Sequence, residues 1–126
     1  MIICNDDHVV AFDVDDTLVM WIWDQAEREK FKDELIEIGK GNFKTLVLPH
    51  KVHIELLKRY KAKGKTVIVW SQSGNEWAAA VIKALDLEEF VDYVFTKPEK
   101  YVDDLKADEW MEHVYKGKPN DTTPHN

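Results

Sequence analysis

The feature that most constrains the fold is an unbroken apolar run, Val9-Val-Ala-Phe12, which ends in the acidic sequence Asp13-Val-Asp-Asp-Thr17. A short run with no polar residue at alternate positions is typical of a strand buried on both faces, as in a parallel sheet. The run therefore predicts a buried parallel strand over residues 8–13. A strand that ends in several carboxylates also indicates a candidate functional site at its carboxyl end.

The rest of the chain alternates helical and strand patterns, which predicts an α/β domain with a mainly parallel sheet. In the charged stretch from Asp24 to Lys40, for example, Phe31, Leu35 and Ile38 recur at helical spacing. The predicted helices cover residues 24–40, 49–63, 76–87 and 105–115, and the predicted later strands cover residues 43–48, 65–70, 90–95 and 101–102.

Polar clusters follow three of the apolar runs, at Asp13–Thr17, Ser71–Gly74 and Asp103–Asp104. In open parallel sheets, ligands bind beyond the carboxyl ends of the strands. We therefore expect the three clusters to lie at one rim of the sheet. This expected convergence is the main reason, from the residues alone, to look for an active site there.

The acidic run at Asp13–Thr17 has two interpretations. Packed carboxylates repel one another unless a cation neutralises them. Mg²⁺ suits such a cluster because it binds through few protein carboxylates and keeps several waters. The alternative is an acidic turn that holds no metal.

The segment Phe12-Asp-Val-Asp-Asp-Thr-Leu-Val19 resembles the first motif of the haloacid dehalogenase superfamily, which is Asp-x-Asp-x-Thr after a buried strand. The resemblance implies a three-layer Rossmann-like fold. It implies that Asp13 attacks phosphorus to form an aspartyl-phosphate, and that Asp15 protonates the leaving oxygen and later activates water. Thr17 would hold the loop and contact the substrate. The Asp13 carboxylate and the Asp15 carbonyl would bind Mg²⁺, and Asp16 receives no role.

The later clusters are similar to the other motifs of that superfamily. Ser71 resembles the second motif, which implies that its hydroxyl binds a phosphate oxygen, and we place the neighbouring Gln72 among the substrate-binding residues. Lys97 resembles the third motif, whose ammonium neutralises phosphate and nucleophile, with Lys100 as the alternative. The pair Asp103-Asp104 resembles the fourth motif, which completes the Mg²⁺ shell. The plainer alternatives are a helix cap at Ser71, a solvated loop lysine and an acidic helix cap.

The chain has no segment long enough for the large cap domain that bigger members of the superfamily contain. We expect residues 1–115 to form the phosphatase domain, residues 20–48 to form a small flap, and residues 116–126 to form a disordered tail. The capless pattern is similar to phage and bacterial members of the superfamily and to the phosphatase half of polynucleotide kinase-phosphatases. The segment that begins at Ser71 also has some likeness to small phosphatases that act on the RNA polymerase tail.

Three tryptophans near the predicted rim, Trp21, Trp23 and Trp77, have two interpretations. They form a surface on which a base or another ring stacks, or they belong to the core.

Composition limits the function further. A chain of 126 residues suits one domain, and its net charge of −7 disfavours a broad nucleic-acid-binding surface. The chain has one cysteine, Cys4, no signal-peptide pattern and no long apolar stretch, which together predict a cytoplasmic protein with no membrane partner.

The predicted function is Mg²⁺-dependent hydrolysis of a phosphomonoester through an aspartyl-phosphate, with a nucleotide or polynucleotide end as the preferred substrate. A phosphoprotein phosphatase and a non-catalytic, Mg²⁺-dependent binding module that kept the fold are the alternatives. The expected partner is a phosphorylated substrate, small or macromolecular, and the sequence leaves both monomer and homodimer open.

Overall fold

Regular structure begins at the apolar run and then alternates between strands and helices. The computed structural model describes residues 1–4 and 6–119. Along the chain the elements are β1 (Val9–Asp13), β2 (Val19–Met20), α1 (Gln25–Lys30), β3 (Ile36–Lys40), β4 (Phe43–Pro49), α2 (Lys51–Ala62), β5 (Thr66–Ser71), α3 (Asn75–Ala84) and β6 (Tyr93–Thr96). Single-turn 3-10 helices lie at Glu88–Phe90 and Ala107–Glu109.

β1, β5 and β6 form a parallel sheet in which β5 lies between the other two. Asp13 at the end of β1 pairs with Trp70, and Ser71 at the end of β5 pairs with Thr96. This register brings the carboxyl ends of the three strands to the same edge of the sheet. The predicted α/β class with a parallel sheet is confirmed, and the architecture is consistent with a small Rossmann-like domain.

The central strand is also the centre of the core. α2 and α3 both pack on β5, and α3 packs on β3 and β6 as well. Leu57 of α2, Val67 and Val69 of β5 and Val81 of α3 are fully buried. Each such side chain contributes roughly 1.5–3 kcal/mol by leaving water, so the strand that ends at Ser71 is firmly held. None of the helices between residues 6 and 119 is long and apolar enough to cross a membrane.

The prediction of one helix over residues 24–40 is wrong in its second half. α1 covers only the first part of that stretch, and β3 pairs antiparallel with β4. Ile36 and Ile38 alternate with the charged Glu37, which is the period of a strand, and Ile38 is buried. Gly41 has φ of 60°, which suits the tight turn between β3 and β4.

β4 pairs on its other edge with β2, so that a small antiparallel sheet has the strand order β2-β4-β3. These strands lie within the segment that we expected to form a flap. Because α3 packs on β3, this sheet lies beside the helix that follows Ser71.

The strand predicted at residues 101–102 is wrong. The structure assigns no strand there. A further parallel strand requires a crossover of about a dozen residues or more, and too few residues separate Thr96 from Tyr101. The short connection between Thr96 and Tyr101 therefore excludes a fourth parallel strand at residues 101–102.

The helix predicted at residues 105–115 is also wrong, since this stretch contains only the 3-10 turn Ala107–Glu109. Its large apolar side chains, including Leu105, Trp110 and Met111, remain exposed. A helix of this length is stabilised mainly by burying an apolar face. No such face is buried here.

Part of the predicted tail packs on the domain. Gly117 is buried, and its carbonyl oxygen lies 2.6 Å from Nε2 of His50. The remaining prediction for the tail, at residues 120–126, lies outside the described residues.

Candidate active site

The strand ends bring Asp13, Ser71 and Lys97 to one edge of the parallel sheet. Asp13 is the last residue of β1 and Ser71 is the last residue of β5. Lys97 follows β6 directly, and its backbone N–H donates to the carbonyl of Ser71 at 2.9 Å. The first two polar clusters of the sequence therefore share one rim with Lys97.

The Asp13 carboxylate faces a cation and a hydroxyl. Lys97 Nζ lies 3.9 Å from Oδ1, and the Thr17 hydroxyl donates to Oδ2 at 3.3 Å. The side chains of Asp13 and Lys97 are about one-third exposed, so a phosphate can approach both from solvent. Lys100, the alternative lysine, is exposed in the segment beyond Lys97. The geometry therefore brings Lys97 to the predicted nucleophile.

The turn after Asp13 is organised around one carbonyl. The Val14 oxygen accepts three backbone N–H groups, those of Thr17, Leu18 and Val19, at 3.2, 2.9 and 3.2 Å. Val14 itself is fully buried. A buried anchor with three donors fixes the direction in which Thr17 presents its hydroxyl.

Asp16, to which the motif assigns no role, shapes this turn. Its φ is 60°, in the left-handed region that Asp tolerates better than most residues other than glycine. Its carboxylate accepts from the backbone N–H of Trp21 at 3.1 Å, and its carbonyl accepts from the Tyr115 hydroxyl at 3.0 Å. The backbone conformation and the two hydrogen bonds of Asp16 therefore hold the turn in shape.

The Asp15 carboxylate accepts four hydrogen bonds. Oδ1 accepts from the indole N–H groups of Trp21 and Trp77, both at 2.9 Å. Oδ2 accepts from the hydroxyls of Ser71 and Ser73, at 3.2 and 3.1 Å. An indole N–H can only donate, whereas a hydroxyl can donate or accept. Among these four partners, a proton on Asp15 therefore finds an acceptor at Oδ2 and none at Oδ1.

Ser71 is fully buried, and its hydroxyl is already engaged on both sides. It donates to Asp15 and accepts from the backbone N–H of Ser73 at 3.0 Å. The exposed Gln72 lies in the turn between them. The cap of α3 is Gly74, whose φ of 104° and ψ of 161° are accessible essentially to glycine alone. Ser71 is thus not a helix cap, and a phosphate oxygen would compete with Asp15 for its hydroxyl.

The structure brings together only part of the predicted metal-ligand set. Asp103 and Asp104 are exposed in irregular chain, because no strand carries them to the rim, and Asp103 Oδ1 accepts from the N–H of Leu105 at 3.0 Å. Within the described ranges, no group of three or more His, Cys, Asp or Glu residues is arranged to hold a metal ion. The Asp13 carboxylate and the Asp15 carbonyl remain. They still suit Mg²⁺, which uses one or two carboxylates and keeps several waters.

Two buried histidines that the sequence analysis did not identify lie behind the first-motif turn. His50 and His53 stack with ring centroids 3.9 Å apart. His53 Nδ1 lies 2.7 Å from the Thr17 carbonyl, and Nε2 accepts from the N–H of Lys116 at 2.9 Å. Because a carbonyl only accepts and a backbone N–H only donates, His53 is neutral with its proton on Nδ1. Burial lowers the pKa of His53, although the hydrogen bond to Thr17 opposes the shift.

His50 extends the same contact. Its Nδ1 accepts from the N–H of His53 at 3.2 Å, and its Nε2 donates to the carbonyl of Gly117 at 2.6 Å. Tyr115 packs against both imidazoles, and burial followed by the charge of Asp16 raises the pKa of its hydroxyl. We call residues 115–117 with His50 and His53 the histidine clasp. The only sequence signal for it is the spacing of three between two histidines at a helix start.

The tryptophans extend from Asp15 to solvent. Trp21 and Trp77 lie with ring centroids 5.9 Å apart and tilted by 32°, and Trp21 stacks on Trp23 at 5.7 Å and 11°. Trp77 is buried, whereas Trp23 is 79% exposed. The core interpretation therefore suits Trp77, and the rim interpretation suits Trp21 and Trp23.

Comparison with known proteins agrees with the resemblance seen in the sequence. The family model for NLI interacting factor-like phosphatases matches residues 8–113. No curated protein and no solved structure matches the chain. The matched span contains Asp13, Asp15, Ser71 and Lys97, and it supports phosphatase activity of the haloacid dehalogenase type. The chain belongs to the NLI interacting factor-like phosphatases, a family of the haloacid dehalogenase superfamily.

Proposed function

We propose that the protein hydrolyses phosphomonoesters through an aspartyl-phosphate on Asp13. The observation that carries this proposal is the difference between two carboxylates at one strand end. Asp13 lies 3.9 Å from the Lys97 ammonium and is reachable from solvent. Asp15 is held by four donors. One carboxylate is thus available as a nucleophile, and the other is positioned as an acid and base.

The reaction has two steps. An Asp13 oxygen attacks phosphorus, the phosphorus–ester oxygen bond breaks, and the leaving oxygen takes a proton from Asp15. Water then attacks phosphorus while Asp15 removes its proton, and the bond between phosphorus and the Asp13 oxygen breaks. Phosphate leaves, and Asp15 again carries the proton for the next cycle.

The hydrogen bonds of Asp15 favour one oxygen for this proton. Oδ1 faces two indole N–H groups, which cannot accept it. Oδ2 faces the hydroxyls of Ser71 and Ser73, and the Ser73 side chain is exposed. We therefore propose that Oδ2 gives and receives the proton.

Four side chains are proposed to bind the phosphate. Lys97 neutralises charge on the phosphoryl oxygens, and the Ser71 hydroxyl turns from Asp15 to a phosphate oxygen. Thr17 and Gln72 lie on the two turns that flank the site. Hydrogen-bond donors positioned in advance of the reaction are an effective way to stabilise phosphoryl transfer.

Mg²⁺ is proposed as the cofactor. The Asp13 carboxylate and the Asp15 backbone carbonyl would hold it, and water would occupy the positions that Asp103 and Asp104 were expected to fill. When bound, Mg²⁺ supplies neutralisation of charge on the transferred phosphoryl group.

A nucleotide or polynucleotide end is the proposed substrate. The aromatic side chains beside Asp15 support this choice, since bases stack on such rings. The net charge of −7 argues against a long nucleic-acid track. A phosphoprotein is the second candidate, because the irregular segment after Lys97 exposes apolar side chains that suit a polypeptide, including Val102 and Trp110.

Hydrolysis of p-nitrophenyl phosphate, with Mg²⁺ and with a chelator, tests the mechanism. We expect turnover that requires Mg²⁺ and is lost in Asp13→Asn. Turnover without a metal ion, or full activity of Asp13→Asn, would contradict the proposed mechanism. A purified protein that is inert toward nucleotides, sugar phosphates, phosphopeptides and phosphorylated oligonucleotides would favour the non-catalytic alternative.

A further inference from the structure

An open cavity of about 400 Å³ adjoins the proposed acid–base residue. It is lined by Trp21, Phe43, Ser73 and Trp77. Three of these four residues donate a hydrogen bond to Asp15, at 2.9, 3.1 and 2.9 Å. The cavity therefore lies directly beside the carboxylate that would meet the leaving oxygen.

The reaction itself determines which part of the substrate enters this cavity. A general acid must be within hydrogen-bond reach of the leaving oxygen. The rest of the leaving group is bonded to that oxygen on the side away from phosphorus. It would therefore extend past Asp15, toward the residues that donate hydrogen bonds to the Asp15 carboxylate. A leaving group that extends this way would enter the cavity, while the phosphate would bind near Asp13 and Lys97.

The walls of the cavity suit a flat ring. Phe43 meets Trp77 edge to face, with centroids 6.0 Å apart and planes at 71°, and Trp21 is tilted by 32° from Trp77. Both indole N–H groups are already committed to Asp15. Phe43 is 53% exposed at the start of β4, so a ring laid against it removes apolar surface from water.

We propose that this aromatic pocket holds the base of a nucleoside monophosphate and binds it by stacking, without distinguishing one base from another. The volume exceeds what a single phenyl ring fills and is within the range of small-molecule sites. Ser73 is the only lining residue besides the indoles with a polar side chain, so the pocket has few groups that can recognise a base edge. The proposal rests on the phosphatase function and names the substrate class of the same site.

Ribose 5-phosphate is the matched substrate, because it has the same leaving oxygen and sugar but no base. We expect kcat/KM for the four nucleoside 5′-monophosphates to exceed that for ribose 5-phosphate by roughly 5- to 100-fold, the usual range for base stacking on an aromatic side chain. The four nucleotides should differ from one another by less than that ratio.

Phe43→Ala is the informative variant, because Trp21 and Trp77 also hold Asp15. It should reduce the ratio toward one, and Phe43→Tyr should retain the ratio. Phe95→Ala is the control, since Phe95 is also an exposed phenylalanine but stacks on Tyr93 rather than lining the pocket.

Three outcomes would overturn the proposal: a wild-type ratio near one, a strong preference for one base, or equal loss on both substrates in Phe43→Ala. Higher kcat/KM for phosphopeptides than for nucleotides would do the same. Binding to Asp13→Asn, followed by tryptophan fluorescence, separates this proposal from the proposed function. If no phosphoester is hydrolysed but this variant binds adenosine monophosphate and not ribose 5-phosphate, the pocket is supported and the phosphatase mechanism fails.

Discussion

His53 Nδ1 lies 2.7 Å from the carbonyl oxygen of Thr17, 36 residues earlier in the chain. Thr17 in turn donates its hydroxyl to Asp13. A buried, neutral imidazole therefore supports the turn on which the proposed nucleophile depends.

The histidine clasp predicts that stability falls on acidification. Burial lowers the pKa of His53, so the unfolded chain takes up the proton at a higher pH than the folded one. The stability supplied by the neutral imidazole is complete above 6.5, the ordinary pKa of a histidine side chain, and is lost as the pH falls from there toward the lower pKa of the folded state. The stacked His50 and the nearby Lys116 oppose a further positive charge. Thermal unfolding followed by circular dichroism between about pH 7.5 and pH 5.5 measures the loss.

His53→Gln should flatten this pH dependence, because glutamine does not titrate. His113→Gln is the matched control, since His113 is exposed and has no place in the clasp. An equal flattening in both variants would show that His53 is not the group responsible.

Asp15→Asn should remove activity while preserving the fold. The amide keeps an oxygen for the two indoles and presents N–H groups to two hydroxyls, which can rotate to accept. We expect kcat for alkyl phosphates to fall about 100- to 10,000-fold because the leaving oxygen loses its proton donor. p-Nitrophenolate leaves without a proton, so the first turnover of p-nitrophenyl phosphate should be much less impaired. Rapid-quench kinetics measure this, and an identical loss on both substrates would contradict the acid role.

Lys97→Met and Lys100→Met form a matched pair that tests the choice of lysine. Of these two lysines, Lys97 has its ammonium 3.9 Å from the proposed nucleophile Asp13. Removing it should lower kcat/KM by about 100- to 1,000-fold, as the loss of a single stabilising group in such sites does. Lys100→Met should stay close to wild type in the same steady-state assay. Comparable losses in the two variants would remove Lys97 from the mechanism.

Asp16 provides a test of backbone conformation. Asp16→Asn keeps an acceptor for the Trp21 N–H and tolerates the left-handed φ of 60°, so its melting temperature should stay near wild type. Asp16→Val places a β-branched residue in the left-handed region, which should cost about 1–2 kcal/mol in the free energy of unfolding. Denaturant titration of both variants measures the difference, and equal stabilities would show that the turn is not strained by this residue.

The sequence alone predicted the parts of the fold that depend on local pattern. The apolar runs that became β1 and β5 carry their own signal, because buried parallel strands lack polar residues over several positions. The order of the motifs placed Asp13, Ser71 and Lys97 on successive strand ends, and the structure brings them to one edge.

The failures have physical causes. Phe31, Leu35 and Ile38 fit a helical period, yet Ile36 and Ile38 also fit a strand, and pairing with β4 decided between them. The helix predicted at residues 105–115 required a surface that buries its apolar side chains. The sequence pattern after Lys97 does not show whether the domain provides such a surface, and the side chains remain exposed. The histidine clasp depends on contacts across more than 60 residues, which no local pattern contains.

The contacts of the histidine clasp also determine when the turn that carries Asp13 gains its support during synthesis and folding. His53 and Lys116 are 63 residues apart, and His50 and Gly117 are 67 apart. The ribosome makes the turn that carries Asp13 well before it makes residues 115–117. Contacts of such long separation close last. A nascent chain therefore carries Asp13 long before the support behind it exists, and the proposed active site is complete only after residues 115–117 have been made.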